Sequence, residues 1–423
     1  MTRVLIFEDT AARQLRPLTW TRPAWALRSG IVTLAEKIAA AYPGAEVLYH
    51  ARPHVAAVAT EETCLPVISG ADDAALPAGP LLCINGRVIA GSDFARLVPP
   101  DGPPQRILSG DCLVAVRLTD GRDLARAMTD DGIDAAAFIH LPDVQAQIDA
   151  AAWPWDLVSR NAREIEADFA RFCRGGCIEG AVHPSAVLEG RDRIWVGEGA
   201  VIQPGAVLMA DEGPIAIGPG AIVMPGAFIQ GPASIGEGSR VKAHAKIYEG
   251  TTAGPLCKVG GEIEASILQG FSNKQHDGFM GHSYLGAWCN LGADTNTSDL
   301  KNTYSSVTVT LDGHEVDTGS MFVGLLMGDH SKTGINVMFN AGTVVGVGCN
   351  LFGSDYQRKE VPSFTWGGRM RLGEHEFKTF CATAETVISR RGRDLSAAAR
   401  EMLQRVFEMT GQARAGATRR GTR

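Results

Sequence analysis

The chain has 423 residues, enough for two or three units that each bury a core. With 47 acidic against 40 basic residues and a net charge of −7, it lacks the basic balance that a nucleic-acid partner requires. Its opening MTRVLIFEDTAARQ contains an apolar run too short for a signal peptide or a membrane span, so the reading is a cytoplasmic protein with no membrane partner.

Residues 1–155 read as an α/β domain. RVLIF, EVLYH, LLCIN and DCLVAV are short apolar strands, and pieces such as GIVTLAEKIAAAY between them are helix-like; this alternation predicts a partly parallel sheet. Residues 156–178 read as one charged, amphipathic linking helix.

From 179 to 368 the period changes. Ile217, Val223, Ile229, Ile235, Val241 and Ile247 recur at spacing six, preceded by Val196, Ile202 and Leu208, with Gly, Pro, Ala and Ser between them. A helix repeats at 3.6 and a lone strand at 2, so spacing six predicts a parallel β-helix, each hexad giving a short strand, a turn and one inward aliphatic side chain. The 49 glycines, well above the usual share of about 7%, serve its corners. Val182 and Leu188 open the series out of phase, and Val323, Asp329, Ile335, Ala341 and Val347 are expected to resume it, so that the β-helix runs from about 180 to 355. The period breaks over residues 250–320, where inserted loops are expected to build a binding face. Residues 369–423 read as a polar tail with one helix, DLSAAAREMLQRVFEM, and a disordered basic end. Nine scattered cysteines without a C-x-x-C pair argue against disulfides and structural zinc.

An α/β domain, a linking helix and a hexapeptide β-helix together resemble the bacterial bifunctional uridylyltransferase/acetyltransferases that make UDP-N-acetylglucosamine. The segments LRPLTWTRP, SNKQHDGFMGHSYLGAWCNLGADTNTSDLKN and GDHSKTGINVMFNAGTVVG are similar to an alternative branch of sugar nucleotidyltransferases. The resemblance implies a nucleotidyltransferase-like domain followed by a left-handed parallel β-helix, a homotrimer, and acetyl-CoA as co-substrate. A protonated amine cannot attack a thioester, so the reaction needs a base that ionises near neutrality, and histidine suits it. By resemblance His282 is that base, Tyr284 and Asn290 sit at the amino-sugar phosphate, and Ala293 and Ala341 line the acetyl-CoA site. Where the family has a phosphate-binding lysine this chain has Glu264, and Tyr248 stands for a nearby arginine. Lys246, Lys274 and Lys301 are the substitutes expected to hold the sugar phosphate.

For the first domain the resemblance implies a nucleotide, UTP, held by Arg13, Arg16, Thr19, Arg22, Gly86 and Arg87, with Mg2+ near Asn161. The sequence departs from that pattern in two places: no glycine-rich loop precedes Arg13, and Arg87 follows Gly86 where an aspartate is usual. Two other classes share a β-helix, a non-catalytic regulatory or assembly protein and a γ-carbonic-anhydrase-like zinc enzyme. The second would need three histidines, for which His276, His282 and His330 are the candidates.

Overall fold

The computed structural model describes residues 2–70 and 76–420. The chain forms two compact units. Met1–Leu27, Val32–Trp153 and Ser396–Arg405 make the first; Arg28–Ile31, Pro154–Leu395 and Val406–Arg423 make the second.

The first unit is built on a mixed sheet. Its strands are β1 (Arg3–Phe7), β2 (Glu46–His50), β3 (Val67–Ile68), β4 (Leu81–Asn85), β5 (Gln105–Ser109), β6 (Cys112–Leu118) and a last short strand, Asp143–Gln145, in the spatial order β3-β2-β1-β4-β6-β5 and then the last. β1 pairs in parallel with both β2 and β4, while β6 runs antiparallel to β4 and β5. The chain therefore leaves β1 first to one side and later to the other. Such a reversal opens a crevice at the carboxyl ends of β1 and β4, the usual ligand position in an open α/β sheet. Helix Leu34–Ala41 begins with a capping box in which Thr33 and Glu36 satisfy each other's backbone N–H groups.

The second unit opens with two short helices, Pro154–Ser159 and Asn161–Phe172, rather than one continuous linker. Strands of two to four residues then wind into the parallel β-helix that the hexads predict. One sheet stacks strands beginning at Ala181, Val201, Ile222, Arg240, Lys258 and Asn273; two further sheets stack eight and nine strands. In the regular coils each turn takes eighteen residues, so Ile217, Ile235 and Ala253 lie over one another in register. Val196, Ile202, Leu208, Ile217, Val223, Ile229, Ile235, Val241 and Ile247 are all within 1% of complete burial in one continuous core. Val182 and Leu188 pack against that core, and the turn Gly190–Arg193 accounts for their change of phase.

Two sequence expectations are corrected here. First, coiling does not stop at residue 250. Strands Thr251–Ala253, Lys258–Val259, Glu262–Glu264, Ile267–Gly270, Asn273–Lys274, Phe279–Gly281 and Tyr284–Ala287 continue the three faces, and the inserted loop is confined to residues between Thr297 and Leu326, with the hairpin Thr308–Leu311/His314–Asp317. The period is hidden because the coils shorten: Val241 pairs with Val259 eighteen residues on, but Val259 pairs with Lys274 and Thr252 with Ile267 only fifteen residues on, so the inward Val259, Ile263 and Leu268 stand four and then five residues apart. Ser239 Oγ donates to the Gly254 carbonyl and accepts from Cys257 N; Ser272 does the same for Gly286 and Cys289, and Ser331 for Gly346 and Cys349. Second, the resumed series is two residues out of step. Met327, Thr333, Phe339, Val345 and Leu351 face inward, whereas Ile335 is 69% exposed.

Lys274 is another interior exception. It occupies the inward column that holds Val259 and Val241 one and two coils before it, fully buried, with Nζ donating to the carbonyls of Gly260 and His276. Burial lowers its pKa from 10.5 to about 8. The C-terminal segment carries three helices, Phe377–Ser389, Ala397–Met409 and Gly411–Arg420, where the pattern predicted one helix and a disordered end; residues 421–423 of that end lie outside the described residues. No helix among the described residues is long and apolar enough to cross a membrane.

The register makes a paired prediction: Ile235→Ala should cost about 2–5 kcal/mol, as a buried large-to-small change does, and Ile335→Ala less than about 0.5 kcal/mol, both read by denaturant unfolding. Equal costs would break the assigned phase. Lys274 predicts a pH effect. Its folded pKa lies below its unfolded one, so between about pH 8 and 10.5 the unfolded chain binds the extra proton and stability rises with pH. The stability of wild type relative to Lys274→Met should therefore improve across that window, and a flat difference would contradict the burial of a titrating amine.

Candidate functional site

His282 stands at a corner of the β-helix, between strands Phe279–Gly281 and Tyr284–Ala287, with φ of +43°. A left-handed backbone is unusual for a residue with a side chain, but Ala265, His244, Phe271, Trp288 and His330 share it at other corners. The conformation belongs to the scaffold and does not by itself mark function. What distinguishes His282 is its side chain. Nδ1 lies 2.8 Å from Asp299 Oδ2, the ring stacks on Phe322 at 5.0 Å between centroids, and 22% of the histidine side chain remains accessible. An ionised Asp299 accepts the Nδ1–H bond, which leaves the lone pair on Nε2. Glu264 lies beside His282, its carbonyl accepting from His282 N, and Glu249 and Glu262 are in turn neighbours of Glu264. Burial and the neighbouring carboxylates raise the Glu264 pKa, and His282 acts in the opposite direction. Sequence reasoning missed Asp299 and Phe322: Asp299 lies 17 residues beyond His282, one coil on in the register that pairs Met280 with Thr297, whereas Phe322, 40 residues beyond, returns because the inserted loop folds back.

The other residues matched to the acetyltransferase scatter. Tyr284 is wholly buried, and its hydroxyl is spent on Gln269 Oε1 at 2.6 Å and on the Arg28 backbone; it cannot touch a ligand in solvent, which corrects the expected contact. Asn290 lies past the opposite end of the strand that begins after His282, so one chain does not bring the two together. Lys246 pairs with Glu262 at 3.0 Å, Lys301 donates to the Ser306 carbonyl at 2.8 Å, and Lys274 is inside the coil. None of the three converges on His282. Ala341 is buried with its carbonyl bonded to Lys359, and Ala293 accepts from Asn336 N. Of the three zinc candidates, His276 is exposed, His282 is engaged by Asp299, and His330 is buried between Trp288 and Phe380. Among the described residues no group of three or more His, Cys, Asp or Glu is placed to hold a metal.

Asn290 instead lines a cavity of about 620 Å³ on another face of the β-helix, walled by Phe271, Trp288 and the side of helix Phe377–Ser389 that carries Thr383 and Val387. Arg240, Lys258, Lys332, Arg390 and Arg391 also line it, and no carboxylate does.

In the first unit the crevice at the ends of β1 and β4 is filled by the protein itself. Arg87 Nε and Nη2 meet the two Asp9 carboxylate oxygens at 2.8 and 2.6 Å, and Asn85 donates to Asp9 Oδ2 at 2.8 Å. Beside this pair Arg52 grips Glu8 bidentately, both bonds at 3.0 Å. Arg87 is thus a structural partner of Asp9, not a free phosphate ligand, and burying an ion pair requires this close mutual satisfaction. Gly86 is needed because a Cβ would come within 2.6 Å of Trp25 Cβ. Thr19 is buried with its hydroxyl on the Ala12 carbonyl, Arg22 is buried, Arg16 lies 3.7 Å over the Trp20 ring, and Arg13 is exposed. Mg2+ does not fit Asn161, the residue matched to it: Asn161, in the second unit, accepts from Gly30 N and donates to the Gly250 carbonyl and Thr252. In the crevice itself both Asp9 oxygens face Arg87. Asn161 is a tie within the second unit.

Comparison with known proteins finds similarity over parts of the chain. Residues 4–176 match the family model described as sugar nucleotidyl transferase. Curated relatives are named bifunctional protein GlmU: one from Methanocaldococcus jannaschii is 32% identical over 105 residues, covering 25% of this chain and 26% of that protein. One from Methanococcus aeolicus is 30% identical over 213 residues, covering 48% and 44%, and one from Synechococcus sp. is 28% identical over 192, covering 45% and 37%. The matched span is thus about a quarter to under a half of each relative's length. A solved UDP-N-acetylglucosamine acyltransferase from Campylobacter jejuni aligns over 52% of this chain and 94% of its own, at 15% identity and a TM-score of 0.25. The chain is thus similar, over part of their length, to proteins named bifunctional GlmU, and its residues 4–176 match the sugar nucleotidyl transferase model.

Proposed function

We propose that the chain is a transferase of sugar-nucleotide biosynthesis whose β-helix acetylates an amino-sugar 1-phosphate from acetyl-CoA, with His282 as the general base. The observation that carries this reading is the His282–Asp299 pair: a partly accessible imidazole whose Nδ1 is anchored at 2.8 Å and whose Nε2 is the remaining ring nitrogen. In the reaction Nε2 takes a proton from the acceptor amine as its nitrogen attacks the thioester carbonyl. A carbon–nitrogen bond forms, the carbon–sulfur bond breaks, and the departing thiolate takes that proton, giving the amide and free coenzyme A. Asp299 is a positioning residue that fixes the tautomer. The carboxylates at this corner favour an ammonium-bearing acceptor over its phosphate end.

The proposed assembly is a homotrimer, in which a neighbouring subunit can supply groups that one chain keeps away from His282; Asn290 and the residues around Ala293 and Ala341 are the candidates for acceptor and acetyl-CoA contacts. Uridylyl transfer from UTP belongs to the proposal through the sugar nucleotidyl transferase pattern of residues 4–176. There the nucleotide would meet exposed Arg13 rather than Asp9 or Arg87, whose charges are committed to each other.

Acetyl transfer measured with acetyl-CoA and a panel of amino-sugar 1-phosphates tests the reading. His282→Ala should lower kcat by about 10²–10⁴-fold, the usual contribution of a placed base, with KM for acetyl-CoA little changed. Asp299→Asn should lower kcat less, again at nearly constant KM. Full activity in His282→Ala would remove the proposed mechanism.

A further inference from the structure

The cavity beside Asn290 is built by the repeat itself. Arg240, Lys258 and Asn273 are register partners on successive coils, and isolated bridges carry the same column on through Asn290 to Lys332. Each is the outward residue immediately before an inward one: Val241, Val259, Lys274, Leu291 and Thr333. Neighbouring members therefore stand about 4.7–4.9 Å apart along the β-helix. The column reads cation, cation, amide, amide, cation. At the end of helix Phe377–Ser389, Arg390 and Arg391 add two more charges to the lining.

These charges are not neutralised internally. Among the described residues none of the five cations is ion-paired to a carboxylate, and none of the lining residues is acidic. The polar contacts that are made leave the charge in place: Arg391 donates to Asn273 Oδ1 at 2.9 Å, and Lys332 donates to the His330 carbonyl at 2.9 Å. Burial lowers the pKa of Lys258, and the neighbouring Arg391, Arg240 and Arg390 lower it further, as expected where like charges crowd one cavity. In a protein of net charge −7 such a concentration of uncompensated cations is costly unless an anion shares it. One wall is different in kind. Leu256, Phe271 and Trp288 lie at successive corners, the two rings stacked at 4.3 Å, and Val387 adds an aliphatic side chain from the helix.

We propose that this cavity binds an organic diphosphate of the nucleoside diphosphate class, its phosphates along Arg240, Lys258 and Arg391 and its less polar end against the Phe271–Trp288 wall. Cations on adjacent coils match a ligand with two linked phosphates, because each phosphate meets its own side chain and Arg390–Arg391 closes on the same charges. Asn273 and Asn290 offer neutral hydrogen bonds next to that charge. Of the residues proposed for acceptor and acetyl-CoA contacts only Asn290 lines the cavity, and Arg240, Lys258 and Arg391, which would hold the phosphates, belong to this site alone.

Calorimetric titration of the full chain with ADP, inorganic pyrophosphate and glucosamine 1-phosphate tests the site. ADP and pyrophosphate should compete for one site, with ADP the tighter and glucosamine 1-phosphate the weakest, and raising the salt concentration should weaken all three. Lys258→Ala and Arg391→Ala should each raise Kd for ADP about tenfold or more, the scale of a lost charge-assisted hydrogen bond, while thermal unfolding stays near wild type. Trp288→Ala should narrow the preference for ADP over pyrophosphate. The proposal is overturned if ADP fails to bind at millimolar concentration, if the charge variants bind it unchanged, or if glucosamine 1-phosphate binds most tightly, which would make the cavity a sugar-monophosphate site.

Discussion

Everything in the second unit depends on one constraint, the in-register stacking of parallel coils. A strand of two or three residues is too short to be stable alone, but each is hydrogen-bonded to the coil before and after it, and its inward residue packs on equivalent residues above and below. The continuous core from Ile194 to Val361 is the consequence. Stacking also has an outward consequence. Whatever occupies the position before an inward residue is repeated along the outside, so chemistry comes in columns; Arg240, Lys258, Asn273, Asn290 and Lys332 form one. Corners form others, of which Phe271, Trp288 and His330 are three consecutive members.

The same constraint explains why the two regions of chemical interest differ in sign. Sheet faces and corners are separate columns, so carboxylates can collect at the His282 corner while cations collect beyond Asn290 without neutralising one another. The first unit follows different physics. At the reversal of strand order, where an open sheet usually admits a ligand, Glu8 and Asp9 each hold an arginine in a buried bidentate pair. Removing either arginine would leave a carboxylate buried without its partner, so these residues act first as architecture. The sequence departures at Gly86-Arg87 and before Arg13 have a common physical meaning, since a crevice stabilised by its own ion pairs needs no glycine-rich cradle there.

Much of the fold was legible because aliphatic spacing is a direct image of an inward column: Ile217 to Ile247 could be read without error. Reading failed where the spacing changed. Coils of fifteen residues follow Thr252 and Lys258, and an insert separates Thr297 from Leu326, so a search at period six sees a gap over 250–297 and picks up the wrong phase at Ile335. At the site, His282 could be singled out from its local motif; Asp299 follows it by one coil and needed only the register, whereas Phe322 is brought back by the inserted loop, and no local pattern encodes that return. Tyr284 shows the converse: a motif match identified the residue, and only packing reveals that its hydroxyl is turned onto the Arg28 backbone. The basic column was readable in principle, one position ahead of each inward residue, once the phase through the shortened coils is known.

The central claim is that an imidazole nitrogen at the Asp299 corner moves the proton during acetyl transfer. Chemical rescue measures this most directly: acetyl transfer to an amino-sugar 1-phosphate by His282→Gly, followed as free imidazole is added. The account predicts little activity without imidazole and a saturable recovery with it. Activity that is absent in the variant and unmoved by imidazole, in a protein that remains folded and still binds acetyl-CoA, would contradict the assignment of His282 as the base.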